Sequence, residues 1–415
     1  MFDPQGQFGD GATAAAAPAR PAFGAVEPAH EGSVRGILGS GRAPEVLWTG
    51  PLYGYSGYAK GNREILHRVA SSMRVCAVSA LMCEHPDPYE QAQVDLYSRV
   101  AISPGAPMVR FFGPREEPAD DRRFKILYTM METELIHRDM VGLINAHYDE
   151  CWTPTLWNAR AFEKSGVRIP MHVMPLGVNP LIYKPGPKMT LPAARLLTTE
   201  RAGTIETPSG FLFTYVFLPS FRKGLDVLLP AFEEAFKNDP EAGLVLAVTH
   251  NPMKDEFLDT LRPDLRARVW VLNGFFTEYE MAAIYRSCDA YVSTSRGEGW
   301  NLPMCEAACC GLPVIVPANT AHLDLVDHES GYLIETEGTA VWEQGQQVSP
   351  WYDGVPFSKM ENRSRTHLTK LLREVKGDYL TAVGKTQKLA GMLNTKYTWD
   401  QAARHVGARL MDIQG

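Results

Sequence analysis

No run of eighteen apolar residues occurs in the 415-residue chain, which excludes a helix that crosses a membrane. Seven cysteines are present (Cys76, Cys83, Cys151, Cys288, Cys305, Cys309 and Cys310), with no CxxC pair among them. Neither a zinc ribbon nor a redox dithiol is therefore indicated. Cys305, Cys309 and Cys310 sit among Ala and Leu and read as buried small apolar residues. An odd set of thiols fits a reducing compartment, so a cytoplasmic location is expected. Positive charge is not in excess: 41 Lys and Arg stand against 48 Asp and Glu, a formal net charge of −7. That argues against a large basic nucleic-acid surface and leaves room only for a local basic groove. The first thirty residues lack the basic-then-apolar order of a secretory signal. They hold nine Ala, four Gly and four Pro, too little apolar surface to offset the entropy of ordering, so residues 1–42 are expected to be a disordered tail.

What is present is a globular composition, 45% hydrophobic, on a chain long enough for roughly two or three domains. From Glu45 onward short β-type runs alternate with amphipathic helical patterns. Strands are expected at Glu45–Thr49, Arg74–Val78, Lys125–Met130, Cys151–Pro154 and His172–Pro175, with helices at Ala59–Val69 and Leu156–Ser165. Proline and glycine then break the rhythm over residues 175–210, where an interdomain linker is expected. The alternation restarts at Phe211–Phe217 and continues through Leu244–Thr249, Val269–Leu272, Ala290–Ser293, Val314–Val316 and Tyr332–Ile334. Helices are expected from Leu225 to Phe236, over Tyr279–Ser287 and over Leu302–Cys310, and Pro230 should lie near the first turn of its helix or kink it. The polar stretch Glu335–Asn362, carrying Trp342, Trp351 and Tyr352, reads as an insertion or long loop. Three helical patterns, Arg363–Lys376, Asp378–Met392 and Trp399–Met411, close the chain. Strands alternating with helices predict an α/β fold of two doubly wound domains facing a cleft, with ligands at the carboxyl ends of the strands.

Chemistry concentrates in Ser295-Arg-Gly-Glu-Gly-Trp-Asn-Leu-Pro-Met-Cys-Glu306, directly after the strand Ala290–Ser293. Gly297 and Gly299 permit a tight turn. Asn301 can cap the next helix and Pro303 suits its first turn, so the free N–H groups there form an anion site. Glu298 and Glu306 bracket that site. Carboxylates repel phosphate, so they suit neutral hydroxyls on either side of it, the layout of a nucleotide sugar. Arg222, Lys223 and Gly224 follow the strand Phe211–Phe217 and are placed to hold a diphosphate and stabilise it as it leaves. Gly54 and Gly57, in the loop after the first strand, suit a cover over phosphate or sugar, although their spacing is not GxGxxG. Glu132 and His137 follow the strand from Lys125, where either can orient an acceptor hydroxyl or take its proton; capping or surface roles are equally open. His322 and Asp324 are further cleft candidates.

The run from FRKG through VWVLNGFF, AIYRSCDAYVSTSRGEGWNLPMCEAACCGLPVIV and SGYLI resembles the C-terminal domain of the retaining family 4, or group 1, glycosyltransferases. The Glu298–Glu306 spacing matches that family's E-x7-E motif, Pro175–Asn179 resembles its interdomain junction, and Tyr397–Trp399 its closing helix. SGYAKGNREI and YTMMETE resemble its first domain more loosely. The resemblance implies a GT-B fold: an acceptor domain over 43–180 completed by a helix at 398–415, and a nucleotide-sugar domain over 181–397 with an insertion at 335–362. It assigns Glu298 to donor-sugar hydroxyls, Glu306 to ribose, and Arg222 and Lys223 to the diphosphate. Backbone around Gly299, Trp300, Asn301 and Leu302 would contact phosphate and sugar, and Asn273 and Gly274 the base. Where many members carry a His at the end of a first-domain strand, this chain reads MMET. Asp-x-Asp is absent, in keeping with a metal-independent transfer to a glycan, lipid, protein or modified nucleic acid, with no cofactor beyond the nucleotide sugar. The alternatives are a silent nucleotide-sugar-binding protein and an epimerase of the same fold.

Overall fold

The computed structural model describes residues 43–80, 88–118, 120–189, 209–248, 262–342 and 349–415. The expected tail, most of the expected linker, Cys83 and Thr249 lie outside them.

Two six-stranded parallel sheets carry the fold. The first comprises β1 (Glu45–Gly50), β2 (Arg74–Ser79), β3 (Met108–Phe111), β4 (Lys125–Tyr128), β5 (Glu150–Thr153) and β6 (Met171–Val173), in the order β2-β1-β3-β4-β5-β6. The second comprises β7 (Phe211–Phe217), β8 (Ala242–Val248), β9 (Val269–Asn273), β10 (Ala290–Val292), β11 (Val314–Pro317) and β12 (Tyr332–Ile334), ordered β12-β11-β10-β7-β8-β9. Strands β7, β8, β10 and β11 are buried along nearly their whole length, as a parallel sheet covered on both faces requires.

Several helices begin where the sequence supplies a side-chain cap. Ser56 caps α1 (Gly57–Val69), and α2 spans Pro88–Tyr97. His137 caps α3 (Arg138–His147), and Thr155 caps α4 (Leu156–Ser165), which ends on Gly166 at φ 104°. Pro230 lies in the second turn of α5 (Leu225–Phe236) and the helix continues through it. Strand β3 and helices α2 and α3 were not expected. The short β3 places Arg110 at a buried position, its Nε donating to the Gly113 carbonyl at 2.8 Å, which disguises it as a polar loop. The segment 335–362 is more than a loop: Thr339–Val341 and Pro356–Ser358 form an antiparallel hairpin, β13 and β14, followed through the turn Pro350–Tyr352.

The last helix, Trp399–Gln414, leaves the second lobe and packs on α1 of the first. Arg409 pairs with buried Glu150 on β5, and Gln414 accepts from the Glu45 N–H at 2.9 Å. Its start is locked to the junction Pro175–Asn179: the Val178 N–H donates to the Tyr397 carbonyl at 2.9 Å. A Cβ on Gly177 would fall 2.3 Å from the Trp399 nitrogen. Gly177→Ala is therefore expected to destabilise the protein by about 1–3 kcal/mol, the cost of overpacking rigid backbone. Gly391, exposed in the helix Tyr379–Lys396 with open space at its Cβ, is the control: Gly391→Ala should stabilise by up to about 1 kcal/mol, and urea titration of both variants against wild type measures the two shifts.

Candidate functional site

In the second sheet the strand order reverses between β7 and β10, the position where open α/β sheets leave a crevice at the carboxyl ends. The loops that leave those two strands carry Arg222 and Lys223 on one side and Glu298 on the other. They touch because Gly224 has no side chain: at φ 67° its Cβ would lie 2.1 Å from the Thr294 carbonyl oxygen. Arg296 fixes the pair of loops further. Its guanidinium lies 4.1 Å from the Phe221 ring centroid and makes two bonds to Asp226, at 2.7 and 3.0 Å.

A chain of opposite charges results. Lys223 Nζ pairs directly with Glu298 Oε1. Arg222 Nη1 stands 3.3 Å from Glu298 Oε2 and donates to the Gly297 carbonyl at 2.6 Å. Arg222 Nη2 lies 3.5 Å from Glu132 Oε1 on the first lobe, and the Tyr352 hydroxyl donates to Glu132 Oε2 at 2.6 Å. Burial alone would raise the Glu298 carboxyl, but Lys223 and Arg222 beside it hold it down to about 2. Burial and the neighbouring Arg222 lower the Lys223 ammonium, against the pull of Glu298.

The helix Leu302–Cys309 points its N-terminus into the same crevice. Asn301 caps it from the left-handed region at φ 73°, accepting from the Met304 N–H at 3.2 Å. A buried relay holds that cap. Asn301 Nδ2 lies 2.9 Å from His322 Nε2, and His322 Nδ1 lies 3.1 Å from Asn319 Oδ1. Donor-acceptor matching puts the ring proton on Nδ1, an assignment from the network. Thr320 Oγ1 accepts from the Glu298 N–H at 2.9 Å. His322 is thus a support beneath the loop. Asp324 accepts from the Trp157 N–H at 2.6 Å, where α4 begins.

Glu306, one turn into the helix, accepts from the buried Tyr285 hydroxyl at 2.9 Å through Oε2. Its Oε1 is held at 2.7 Å by Lys60 of the first lobe, which also lies 2.5 Å from Glu278 and donates to the Tyr183 hydroxyl at 3.1 Å. Burial works against the Lys60 charge, yet Glu306, Tyr183 and Glu278 together raise its pKa. Lys60 follows the glycine loop directly, but one lysine at a helix start carries no motif, so the sequence reading missed it. Tyr352 was missed because nothing in the sequence relates residue 352 to residue 132.

The remaining candidates divide. Gly57 begins α1 with its would-be Cβ 3.7 Å from Leu302, so the glycine loop stands opposite the helix N-terminus. Gly54, at φ 84°, is held through its carbonyl by Arg63 at 2.8 Å. Tyr55 of this loop stacks on Phe275 at 4.7 Å, next to Asn273 and Gly274 at the carboxyl edge of the second sheet. Gly297 and Gly299 have a use the sequence did not suggest. A Cβ on Gly297 would lie 1.7 Å from the Glu132 carbonyl oxygen, and one on Gly299 2.4 Å from Met130, so these glycines let the lobes meet. The Trp300 ring is buried edge-on against Tyr397, 5.3 Å away, which leaves its backbone rather than its side chain for a ligand. Among the described residues no hydrogen bond or ion pair brings His137 to this cluster: it accepts from the Asp139 N–H at 3.3 Å, and its ring meets Trp351 at 6.2 Å.

Residues 211–344, the stretch that holds Arg222, Lys223, Glu298 and Glu306, match the family described as Glycosyl transferases group 1. Over 102 residues the chain is 33% identical to the mannosylfructose-phosphate synthase of Agrobacterium fabrum, covering 23% of this chain and 22% of that protein. Over 183 residues it is 26% identical to the serotype-specific mannosyltransferase WbdA of Escherichia coli, covering 40% and 22%. The matched stretch thus spans about a fifth of the length of these curated relatives. In three dimensions the chain is similar to Anabaena Alr3699/HepE, crystallised with UDP and glucose, at a TM-score of 0.64 and 13% identity over 89% of this chain and 100% of that one. The fold is GT-B, two Rossmann-like domains.

His322 makes the relay testable by pH. Its burial lowers its pKa to about 4, against about 6.5 unfolded. The unfolded chain takes up this proton first as pH falls. Stability from His322 is therefore full above the unfolded pKa and is lost as pH falls through about 4. Between pH 7 and pH 5 it accounts for about 2 kcal/mol. Urea unfolding of His322→Gln should show a correspondingly smaller loss over that interval than wild type; an equal loss would remove His322 from the relay.

Proposed function

We propose that this protein is a retaining glycosyltransferase that moves a sugar from a nucleoside-diphosphate sugar to an acceptor hydroxyl, without a metal ion or other cofactor. The observation that carries the reading is the convergence of two cations, one helix N-terminus and two carboxylates at the strand-order reversal of the second sheet, inside the stretch that matches a glycosyltransferase family. The names of the relatives and the UDP held by the structural neighbour support a nucleotide-sugar donor.

Arg222 and Lys223 take the diphosphate, with the N–H groups at Leu302 adding to the field. Glu298, now balanced by those two cations, turns its oxygens to the sugar hydroxyls once phosphate replaces it as their partner. Glu306 grips the ribose diol, its acceptor capacity shared with Lys60 and Tyr285. The transition state has oxocarbenium character, with negative charge growing on the leaving diphosphate. The cations meet that charge already placed, which is the electrostatic preorganisation that lowers a barrier most. The acceptor enters beside Glu132, on the same face of the sugar as the leaving diphosphate, and the leaving phosphate takes its proton. Front-face departure and attack retain the anomeric configuration.

Thermal-shift screening against UDP-, GDP- and ADP-sugars names the donor, since a ligand that binds the native state raises its apparent stability. With that donor, Lys223→Ala should lower turnover by about 2–4 kcal/mol of transition-state stabilisation. Glu306→Ala should chiefly raise the donor KM. Donor consumption should be unchanged by EDTA. Wild-type kinetics in both variants would retire the site, and a strict need for a divalent cation would retire the leaving-group chemistry.

A further inference from the structure

The hairpin arm over 335–362 belongs to the second lobe by its roots. It leaves β12 and returns into the helix Asn362–Gly377, which packs on α5. Its described side chains nevertheless complete the first lobe. Trp342, Tyr352, Val355 and Phe357 share a buried cluster with Leu127, Met131, Ile136 and Met140. The Glu134 N–H donates to the Pro356 carbonyl at 2.9 Å, extending the contact along the backbone. Phe221, beside Arg222, meets Trp342 and Phe357 edge-on at 5.8 and 6.0 Å. The arm thus touches two of the three loops that carry the charge chain, those of Arg222 and Glu132.

It carries the Tyr352 hydroxyl inward, on a residue only 8% exposed. Among the described residues that hydroxyl has one hydrogen-bond partner, Glu132 Oε2, while the other carboxylate oxygen faces Arg222. Glu132 is therefore held between a neutral donor from the arm and a cation of the diphosphate cluster. We infer that Tyr352 is a positioning residue: its hydroxyl fixes the Glu132 carboxylate on the acceptor side of the cleft and, by sharing its charge, keeps Glu132 from competing with the donor diphosphate for Arg222. This rests on the donor-site reading above.

The chemistry gives opposite signs to the two halves of the pair. Without the hydroxyl, the carboxylate charge is carried by Arg222 alone, so the guanidinium is less available to phosphate. Without the charge, Arg222 is released. A hydrogen bond to an ionised group is also the kind whose loss is felt beyond packing. The test is a double-mutant cycle on binding, because coupled neighbours are not additive. UDP, GDP and ADP are titrated calorimetrically into wild type, Tyr352→Phe, Glu132→Gln and the double variant, with melting temperatures recorded for each. For the diphosphate that binds wild type, Tyr352→Phe should weaken binding about threefold or more, and Glu132→Gln should tighten it by a similar factor. In the Glu132→Gln background, Tyr352→Phe should have no further effect. A purely structural tyrosine would instead shift both backgrounds equally, and that result overturns the inference. So does an unchanged affinity in Glu132→Gln, which decides the matter even if Tyr352→Phe does not fold. If none of the three diphosphates binds wild type, the donor-site reading falls together with this one.

Discussion

The buried ion pairing of Glu298 with Lys223 and Arg222 is the constraint around which this site is built. Three charges inside a protein are costly unless each faces its opposite, and removing one leaves the others uncompensated. Here the compensation is mutual and joins two loops of the second lobe, and Glu132 adds a third loop from the other lobe. The loops after β7 and β10 cannot separate without stranding charge, and Glu132 draws the first lobe onto the same chain. The arrangement holds its cations in place before any anion arrives. For the donor proposed here, a diphosphate entering the crevice would exchange one negative partner for another with little reorganisation, which is the condition for effective electrostatic stabilisation.

The glycines around this cluster have a shared physical reason. Gly224 lets the two loops of the second lobe touch, while Gly297 and Gly299 let the second lobe touch the first. In each case a Cβ would occupy space held by a backbone carbonyl or by a packed methionine. Close approach, rather than flexibility, is what these positions supply. Lys60 on Glu306 adds a second charged contact between the lobes, the last helix a third connection, and the hairpin arm a fourth. The lobes meet through groups that the proposed donor site also uses, so on that proposal donor binding and the relation between the lobes are physically linked. Lys60 shows this most directly, because the carboxylate that anchors it is the one proposed to hold ribose.

The amino-acid sequence by itself determined the α/β alternation, most strands to within a residue or two, the position of the capped helix after β10, and the charged residues at the strand ends, of which Arg222, Lys223 and Glu298 come together. These are local properties: periodicity, glycine and asparagine at a turn, charge at a strand end. The four-residue β3 with its buried arginine escaped it, because a polar residue in so short a run hides the pattern. Only the tertiary structure decided which distant residues complete the site. It joined Lys60 to Glu306 and Tyr352 to Glu132 across 246 and 220 positions of chain. It also gave His137 a capping contact instead of a place in the cluster. The reason is that side-chain chemistry and near-neighbour spacing are written in the chain, whereas contact between lobes depends on how two sheets and a returning helix pack, and no local pattern encodes that.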